Sequence, residues 1–504
     1  MNKLEGKRIL MVQQRHWGVY IGHEIAKKLH HEGCFLAALT LKRTTTEFTR
    51  SQKEVPYQLI IDNDNVMSRP ADYLSGETYS ISEICSELGV NSIWPIVLSL
   101  RNHVRSYKEK YYYGFSPNLP EEEILLYVQA VYKYLKIIFT QFKPELIIAP
   151  NFVALPHIML NLYAKKRGVE MIALYDSKVS GVRIFANNYN VGGGYFHELV
   201  NLLNEKKTES PSREKARKYI SEFRANFKPP EYLINKPRIG LYKKTRQFLS
   251  PFRQIFYWYY KRPINVLEST GITPDFRPPK IILRDFFSHL RNKRFLDRFP
   301  FCPLEKLGRF VYFPLQVQPE ATIDVIAPYF GNQIETARLA AMSLPADYAL
   351  VVREHPGMAG RRSPSYIKKI ARLINVKFVD YRIPNEIFLK KASLIISPSG
   401  TSIAEAAFLN KPVIQLGNLE TTLMLPNVRK HTDFTTLSAK IKEILGMDFD
   451  AEYERRLENY VAAAFDSGVS LNYNTIWKYG SKEIEEIEAL WECFKKEAER
   501  ILLK

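Results

Sequence analysis

Short apolar runs alternate with longer amphipathic segments along much of this chain, a pattern typical of a parallel sheet in an α/β protein. In the first 200 residues the apolar runs predict strands at 7–13, 35–41, 57–61, 145–149 and 170–175. Segments with helical periodicity predict helices at 23–31, 121–142 and 154–167. Residues 1–204 are therefore predicted to form one Rossmann-like domain.

A second alternation of the same kind begins at Gly308. The predicted strands are 309–313, 348–352, 376–379, 393–397 and 412–416, and the predicted helices between them are 331–343, 364–374, 384–391 and 401–409. This alternation predicts a second Rossmann-like domain with bounds 308–450. Residues 451–504 are predicted to be carboxy-terminal helices that can pack back on the first domain.

Between the two domains, residues 205–307 break the alternation and are rich in Lys, Arg, Pro and aromatic residues. From 206 to 300 there are 23 Lys and Arg against 8 Asp and Glu, so this stretch carries most of the formal net charge of +19. Its aromatic residues recur at roughly helical intervals, at Phe248, Phe252, Phe256, Tyr257 and Tyr260. Two interpretations stay open: a helical insertion whose aromatic face packs on the core, or a basic amphipathic surface that lies on an anionic membrane or binds a lipid-diphosphate headgroup.

Length and composition narrow the class of protein. With 504 residues, 46% of them hydrophobic, the chain can bury a large core and is too long for one ordinary domain. No run of about 18 or more apolar residues lacks a polar interruption, and the amino terminus lacks the apolar core of a signal peptide. We therefore expect a cytoplasmic protein that is peripheral at the inner face of the cell membrane. The scattered cysteines predict neither a zinc site nor a disulfide framework, and we expect no cofactor.

Polar residues follow the first two strands of the second domain. The carboxyl ends of neighbouring parallel strands meet at the sheet edge where α/β proteins bind nucleotides. We therefore expect these two groups of polar residues, called polar tips below, to lie side by side. The side-chain amide of Gln can both donate and accept hydrogen bonds, as recognition of a base or ribose requires. A His before Pro can donate to a phosphate or protonate a leaving oxygen, so it is also a catalytic candidate, although a single His is often structural. The residues at the two tips are Gln318, Pro319, Glu320, Arg353, His355 and Pro356.

A third polar tip, Ser399, Gly400 and Thr401, follows the apolar run 394–396 and precedes a helix that carries Glu405. Small hydroxyl residues and a glycine at a helix amino terminus leave backbone N–H groups free to hold a phosphate, so these four residues are nucleotide-binding candidates. The alternative is an ordinary Ser/Thr helix cap with a tight turn. The Gly-x-x-x-x-Gly-Lys pattern is missing, so a P-loop nucleotidase is not predicted.

Four motifs occur in one order within residues 309–417: Phe-Pro-Leu-Gln-Val-Gln-Pro-Glu-Ala-Thr, Arg-Glu-His-Pro-Gly, Ser-Pro-Ser-Gly-Thr-Ser-Ile-Ala-Glu-Ala and Lys-Pro-Val-Ile-Gln-Leu-Gly. Together they resemble the carboxy-terminal domain of the capsule polysaccharide biosynthesis family, whose members include the Kdo transferases of capsule assembly. The resemblance implies a GT-B-like α/β fold, with two Rossmann-like domains facing across a cleft. The expected fold class is therefore GT-B-like, with the basic helical insertion, indicated by composition, between the two domains. The resemblance also implies a nucleotide-sugar donor similar to CMP-Kdo.

The resemblance assigns roles by position. Gln318 and Pro319 match the family's Gln-Pro motif, and His355 and Pro356 match its His-Pro motif; these paired motifs hold CMP in the family. Residues 399–401 match its phosphate loop. A nucleotide sugar is therefore the expected small-molecule partner of the second domain.

The first domain is then expected to bind the acceptor and to supply the catalytic carboxylate. Asp176 is the first candidate, because it follows the apolar strand 170–175 and would face the cleft. A carboxylate there could deprotonate an acceptor hydroxyl, or attack the anomeric carbon if configuration is retained; the alternative is a turn-forming Asp. Four further residues are weaker acceptor-binding candidates. Arg183 and Asn187 follow Asp176 in the same region, and His16 and Glu24 flank the first βα turn.

Asp62-Asn63-Asp64, after the strand 57–61, is a competing signal. Asp-x-Asp at a strand end can hold a nucleotide diphosphate through a divalent metal ion. The tripeptide is short and common in turns, and the candidate phosphate-binding residues lie far from it along the chain. We therefore predict a metal-independent reaction and no metal site.

The leading functional hypothesis is a glycosyltransferase of surface, capsular polysaccharide or glycolipid biosynthesis. It would move a sugar from a nucleotide-sugar donor to a lipid-linked or polysaccharide acceptor, with the 205–300 region on an anionic membrane surface. A nucleotide-sugar epimerase of the same double-Rossmann architecture is the nearest alternative. A scaffold protein is another, and a nucleic-acid-binding protein is disfavoured because no RNA- or DNA-binding module is recognisable and the charge is confined to one insertion.

Overall fold

Two sheets, built mostly from parallel strands, organise the chain and carry hydrophobic cores on both of their faces. The computed structural model describes residues 3–109, 116–227, 248–273, 276–480 and 484–503. The two sheets form two Rossmann-like domains that face each other across a cleft, with helices inserted between them. The predicted GT-B-like fold class is confirmed.

All the strands predicted from the apolar runs are present, with ends shifted by a residue or two. The strands of the described chain are β1 (Arg8–Gln14), β2 (Phe35–Leu41), β3 (Tyr57–Asp62), β4 (Leu146–Ile148), β5 (Glu170–Asp176), β6 (Val182–Ala186), β7 (Phe310–Pro314), β8 (Ala349–Arg353), β9 (Val376–Val379), β10 (Leu394–Ser397), β11 (Val413–Gln415), β12 (Val428–Lys430) and β13 (Val469–Ser470).

The first sheet has the order β13-β6-β5-β4-β1-β2-β3. Strands β1 to β5 are parallel, with Leu10 of β1 opposite Ala37 of β2 and Ile147 of β4. Strand β6 runs antiparallel to β5, which places Arg183 opposite Asp176. The direction of winding changes between β1 and β4, so this sheet has its switch point there.

The second sheet is entirely parallel and has the order β12-β11-β10-β7-β8-β9. This is the strand order of a doubly wound dinucleotide-binding sheet. Its switch point lies between β7 and β10. Ligands of such sheets bind at the carboxyl ends of the strands beside that point, which is where the three predicted polar tips are located.

Alternation of side chains across the strands explains why the sequence signal was strong. Leu10 and Val12 of β1 enter one core cluster, while Ile9 and Met11 enter the cluster on the opposite face. Because both faces are covered, the strands are continuous apolar runs and do not alternate with polar residues.

The helices of the first domain are Arg15–Tyr20, Gly22–His31, Arg43–Ser51, Asn63–Ser68, Pro70–Leu74, Ile81–Leu88, Trp94–Val97, Arg101–Val104, Glu121–Ile137 with a π-helical turn Ile138–Phe142, Leu155–Lys165 and Gly194–Asn204. The helix Arg213–Ala225 follows and packs on the helices Ala451–Ser467 and Ser402–Phe408. The insertion contains Ser250–Asn265, Pro279–Asp297 and the 3-10 turn Leu304–Lys306. The second domain contains Ala321–Asp324, Gln333–Met342, Pro364–Ala371, Asn385–Lys391, Ser402–Phe408, Glu420–Leu423 and Leu437–Leu445, with 3-10 turns Pro328–Phe330 and Pro356–Met358. Beyond it lie Ala451–Ser467, Tyr473–Tyr479 and Ile484–Leu502.

Two segments for which the sequence predicts neither a helix nor a strand have regular structure. Residues 15–20 form a helix because Trp17 is buried and its Nε1–H donates to the Tyr473 hydroxyl at 2.8 Å. Residues 182–186 form β6, which returns antiparallel beside β5. Both depend on contacts that local sequence does not encode.

The helix Ala451–Ser467 joins the two domains. The Tyr460 hydroxyl donates to the carbonyl oxygen of Ser177 in the first domain at 2.8 Å, and the Tyr453 hydroxyl donates to that of Ala407 in the second at 2.6 Å. Both tyrosines are buried.

The last helix, Ile484–Leu502, returns to the first domain. Glu488 pairs with Lys28 at 2.5 Å, and Lys495 pairs with Glu32 at 2.6 Å. Its apolar residues enter the same core cluster as Ile9 and Met11. The chain therefore ends where it began, on the outer face of the first sheet.

The insertion also contacts both domains. Its helices Ser250–Asn265 and Pro279–Asp297 pack on each other. The segment between them pairs Glu268 with Arg69 of the first domain at 2.6 Å. On the second helix, Lys293 Nζ donates to the Tyr381 hydroxyl of the second domain at 2.6 Å. Within the described ranges, the model has no helix with the length and apolar character to cross a membrane.

Candidate functional site

Gln316 links the three loops at the carboxyl ends of β7, β8 and β10. Its Nε2 donates to the Pro314 carbonyl at 3.1 Å and to the Ser397 hydroxyl at 3.2 Å. The backbone carbonyl oxygen of Gln316 accepts from Arg362 Nη2 at 2.6 Å. Sequence analysis missed this role, and the available signal was its position two residues before Gln318 in the same motif.

Gln318 lies against the interdomain space and Glu320 lies in solvent. Gln318 is 7% exposed, and its Oε1 accepts from Gln333 Nε2 at 3.1 Å. The Gln318–Pro319 peptide bond is cis. Glu320 is exposed and accepts from the Thr322 hydroxyl, so its carboxylate belongs to the loop surface.

At the end of β8, two arginines and a glutamate are buried together. Glu354 is 0% exposed and pairs with Arg362, which is also buried, at 2.5 Å. Arg353 is 7% exposed and donates through Nη2 to the Tyr381 carbonyl at 2.9 Å. These contacts hold the Arg353 guanidinium at the switch-point edge of the sheet.

His355 is half-buried beside this pair. The Gly357 N–H donates to His355 Nδ1 at 3.0 Å, and the His355 N–H donates to Glu354 Oε1 at 2.7 Å. Because Nδ1 accepts, the neutral ring carries its hydrogen on Nε2, an assignment made from the hydrogen bonds. Pro356 starts the following 3-10 turn. The ring therefore offers a donor suited to a phosphate oxygen.

The loop after β10 is held by its own hydroxyl groups. The Ser399 side chain is buried and donates to the Thr322 carbonyl at 2.8 Å. Gly400 has φ +110°, and a β-carbon there would lie 2.8 Å from Gln316 Oε1. In the described structure Thr401 precedes the helix and makes no side-chain cap hydrogen bond, so the helix does not use its hydroxyl as an ordinary cap.

Glu405 lies one turn into this helix and is 6% exposed. Its Oε2 accepts from Asn385 Nδ2 at 2.8 Å, and Asn385 accepts from the Tyr312 hydroxyl at 2.7 Å. Burial raises the pKa of Glu405 to about 7, against the lowering effects of Asn385, Arg353 and Lys178. Lys178 belongs to the first domain, so Glu405 faces the cleft.

Asp176 ends β5 on the opposite side of the cleft and keeps 39% of its side chain exposed. Its Oδ2 lies 3.1 Å from Lys178 Nζ, and its Oδ1 accepts from the Lys178 N–H at 3.0 Å. Burial opposes ionisation, but the charges of Lys178 and Arg183 outweigh it, so the pKa of Asp176 is lowered. Lys178 therefore acts to lower the pKa of both Asp176 and Glu405.

The other acceptor-binding candidates are not gathered around Asp176. Asn187 follows β6 and donates to Glu170 Oε2 at 3.3 Å, at the amino-terminal end of β5. Since β6 is antiparallel, Asn187 lies at the opposite sheet edge from Asp176.

His16 is exposed and its ring stacks on Tyr20 with ring centroids 5.8 Å apart. Glu24 pairs with a lysine on its own helix at 3.2 Å. Of the weaker candidates, only Arg183 lies beside Asp176.

The competing Asp62-Asn63-Asp64 tripeptide has structural contacts. Asp62 Oδ1 accepts the Asn65 N–H at 3.2 Å and caps the helix Asn63–Ser68. Asn63 Oδ1 accepts from the Tyr127 hydroxyl at 2.8 Å. Asp64 is 5% exposed. These side chains stabilise the end of β3 and do not point together into the cleft.

A cavity of about 880 Å³ lies between the domains. Pockets for small ligands have volumes of about 300 to 1,000 Å³, so this cavity has a suitable size. Gln318, Gln333 and Asp324 contribute polar atoms to its wall. Most of the wall is apolar, and its larger side chains include Trp94, Leu98, Ile124, Tyr329 and Ile334. No sequence motif indicated this cavity, because its two walls come from residues 92–124 and 318–369, which are far apart along the chain.

Asp324 forms ion pairs that link the two walls of the cavity. It is 3% exposed and pairs with Arg101 at 3.0 Å and with Arg105 at 2.6 Å. Both arginines come from the first domain. The ion pairs therefore set the separation of the domains next to Gln318.

Comparisons with known proteins gave matches among solved structures only; no family model and no curated protein matches this chain. A KpsC β-Kdo 2,7-transferase of Thermosulfurimonas dismutans has a TM-score of 0.34 and 11% identity, over 66% of this chain and 80% of that one. The β-Kdo 2,4-transferase of the same KpsC gives 0.32 and 15%, over 64% and 79%. A UDP-GlcNAc 2-epimerase from Neisseria meningitidis gives 0.24 and 14%, over 90% and 94%. The resemblance to the capsule family stays a prediction.

Proposed function

We propose that this protein is a GT-B glycosyltransferase that moves a sugar from a nucleotide-sugar donor to a lipid-linked or polysaccharide acceptor in the synthesis of a surface polysaccharide or glycolipid. One observation carries the proposal. The loops after β7, β8 and β10 lie together at the carboxyl edge of the second sheet beside its switch point, and the charge of Lys178, which pairs with Asp176 of the first domain, acts on Glu405 at that edge.

The second domain would hold the donor. His355, through Nε2–H, and Arg353 present positive or donating groups where the phosphate of a nucleotide would lie. The backbone N–H groups after Gly400 would add further donors. Gln318 would contact the nucleoside from the cavity side. The sequence motifs favour a donor similar to CMP-Kdo.

The transfer step follows from the carboxylates on the two sides of the cleft. Asp176, held ionised by Lys178 and Arg183, would accept the proton of the acceptor hydroxyl as its oxygen bonds to the anomeric carbon. The bond from that carbon to the phosphate oxygen breaks, and the electron pair leaves with the phosphate. If the anomeric configuration is retained, Asp176 would attack the anomeric carbon instead.

Charge on the leaving phosphate would be balanced by the protein itself. Arg353 is held at the sheet edge, and the Nε2–H of His355 can donate a hydrogen bond to the departing oxygen. Glu405, whose pKa is raised to about 7, can hold a proton near neutral pH beside them. The proposed mechanism therefore assigns no step to a metal ion.

The test measures thermal stabilisation by CMP, UDP and GDP, followed by product analysis with CMP-Kdo and candidate acceptors. We expect CMP to raise the unfolding temperature of the wild type and not of His355→Ala. His431→Ala, at the end of β12 in the same domain, is the matched control and should respond to CMP as the wild type does. Stabilisation by UDP or GDP alone would contradict the donor assignment.

Product analysis separates transfer from epimerisation. Transfer releases nucleotide only when acceptor is supplied, whereas epimerisation changes the sugar of the donor with no acceptor present. Formation of an epimer without acceptor would overturn the proposed reaction. Wild-type transfer activity in both His355→Ala and Gln318→Ala would show that the loops at the switch point are not the site.

A further inference from the structure

Large apolar side chains are concentrated on the outside of the insertion. Of the 17 exposed large hydrophobic residues in the described chain, 9 lie between 248 and 290. They are Phe248, Leu249, Phe252, Phe256, Tyr257, Tyr259, Tyr260, Phe287 and Leu290. Of the two interpretations of this segment, packing of the aromatic face on the core is wrong for these side chains, because Phe252 and Phe256 are 59% and 64% exposed.

The exposed rings lie on both helices of the insertion and make two groups of ring contacts. Phe256 stacks on Tyr260 with ring centroids 6.0 Å apart. Phe248 lies 5.9 Å from Phe286, which in turn contacts Phe287 at 5.4 Å. From Phe252 to Tyr260 the surface extends about 12 Å along the axis of the helix Ser250–Asn265. The opposite side of the first helix carries the buried Trp258.

A cationic stripe continues this surface along the second helix. Phe287, Arg291, Arg294 and Arg298 follow one another at the spacing of one helix face, and all are exposed. The three arginines, with Lys368 and Arg372 of the second domain, line a cavity of about 550 Å³. Among the described residues, none of these five cations has a carboxylate within 4.0 Å.

We propose that the protein docks on an anionic bilayer through this aromatic-cationic face, defined by residues 248–260 and 287–298 together with Lys368 and Arg372. Exposed aromatic rings beside Arg and Lys are the composition of helices that lie in the membrane interface. The cationic cavity has the size and charge to receive phosphate groups of lipid headgroups. Clusters of exposed apolar side chains rimmed by polar residues mark sites of interaction with proteins or membranes.

Charge favours a bilayer over a second copy of this chain. In a symmetric dimer through this face, the same patch would meet itself, so the arginine stripes would be brought together without carboxylates to neutralise them. An anionic lipid surface has the complementary charge. The inference does not depend on the proposed transfer reaction.

The arrangement also orients the enzyme. The insertion contacts the first domain through Glu268 and the second through Lys293. Docking of its outer face would therefore hold both domains at the bilayer at once, on the side of the sheets where β3 and β9 are the edge strands.

Co-sedimentation of the full-length protein with vesicles tests the proposal. We expect binding to vesicles of phosphatidylcholine with phosphatidylserine, weaker binding to phosphatidylcholine alone, and loss of binding as salt is raised from roughly 0.1 M to 1 M. Arg291→Ser/Arg294→Ser should weaken binding about tenfold or more, since each cation near an anionic surface contributes about fivefold. Phe252→Ser/Phe256→Ser should also weaken it about tenfold.

Phe35→Ser is the matched control, because Phe35 is 49% exposed on β2 outside the face, and it should bind as the wild type does. Equal binding by all three variants, or no wild-type binding to the anionic vesicles, would overturn the proposal. A wild-type dimer in sedimentation equilibrium that Phe252→Ser/Phe256→Ser converts to monomer would show that a second copy covers the face instead. Stabilisation by CMP is measured on each variant, so loss of docking is distinguished from failure of the nucleotide site.

Discussion

Glu405 is buried where its charge is costly, and Glu405→Gln should remove a pH dependence from the stability of the second domain. Burial raises its pKa from 4.5 to about 7. Between these values the folded protein retains a proton that the unfolded chain has released. The stabilising contribution of the protonated group is therefore fully present below pH 4.5 and is lost as the pH rises through 7.

The magnitude follows from the two pKa values. At about 1.4 kcal/mol for each pKa unit, the whole effect is roughly 3 kcal/mol, and most of it falls between about pH 5 and 8. Glutamine has the shape of glutamic acid and keeps an oxygen to accept from Asn385 Nδ2, but it does not titrate. The free energy of unfolding of the wild type minus that of Glu405→Gln should therefore fall by about 2–3 kcal/mol over this range.

Hydrogen exchange under increasing urea, followed on the peptide spanning 394–409, measures the stability of this domain separately from the first. Wild type and Glu405→Gln are compared at about pH 5 and 8, with exchange rates corrected for their intrinsic pH dependence. Glu305→Gln, on an exposed 3-10 turn of the preceding segment, is the control and should show no such change. A difference that stays constant, or that grows with pH, would refute the reasoning about Glu405.

Three other substitutions test the contacts around the site. Arg362→Met leaves the buried Glu354 carboxylate unpaired and should reduce the free energy of unfolding by about 3–5 kcal/mol, measured by chemical denaturation; a loss under about 1 kcal/mol would contradict the ion pair. Gly400→Val puts a β-carbon 2.8 Å from Gln316 Oε1 at φ +110°, so we expect stabilisation by CMP to disappear in thermal-shift measurements, and a normal shift would contradict the role of the loop. Asp324→Ala should loosen the domain interface by about 2 kcal/mol or more and speed hydrogen exchange in residues 92–105, where unchanged exchange would contradict the bridge.

The strands were predictable because burial on both sheet faces makes each of them a short apolar run. Strand β6 was not, since Val182–Ala186 pairs antiparallel with β5 after a turn that carries no strong signal. The helix Arg15–Tyr20 was missed because it depends on the contact of Trp17 with Tyr473, 456 residues away in the chain. Long-range contacts of this kind are invisible to local periodicity.

The candidate site was also only partly predictable from the sequence. Parallel strands place their carboxyl ends at one edge, so the adjacency of the loops that carry Gln318, His355 and Gly400 followed from sequence order. The importance of Gln316 did not, because its partners are Arg362 and Ser397 on other loops. That Asn187 lies away from Asp176 required the direction of β6.

The sequence by itself determined that this chain builds two Rossmann-like domains and that polar loops follow the strands of the second, because strand burial and βα alternation leave a periodic record along the chain. Only the tertiary structure decided that Glu405 has a raised pKa, that Asp176 stays ionised, and that the aromatic residues of the insertion face outward. Burial and electrostatic neighbours depend on which distant segments meet, and that information is not local.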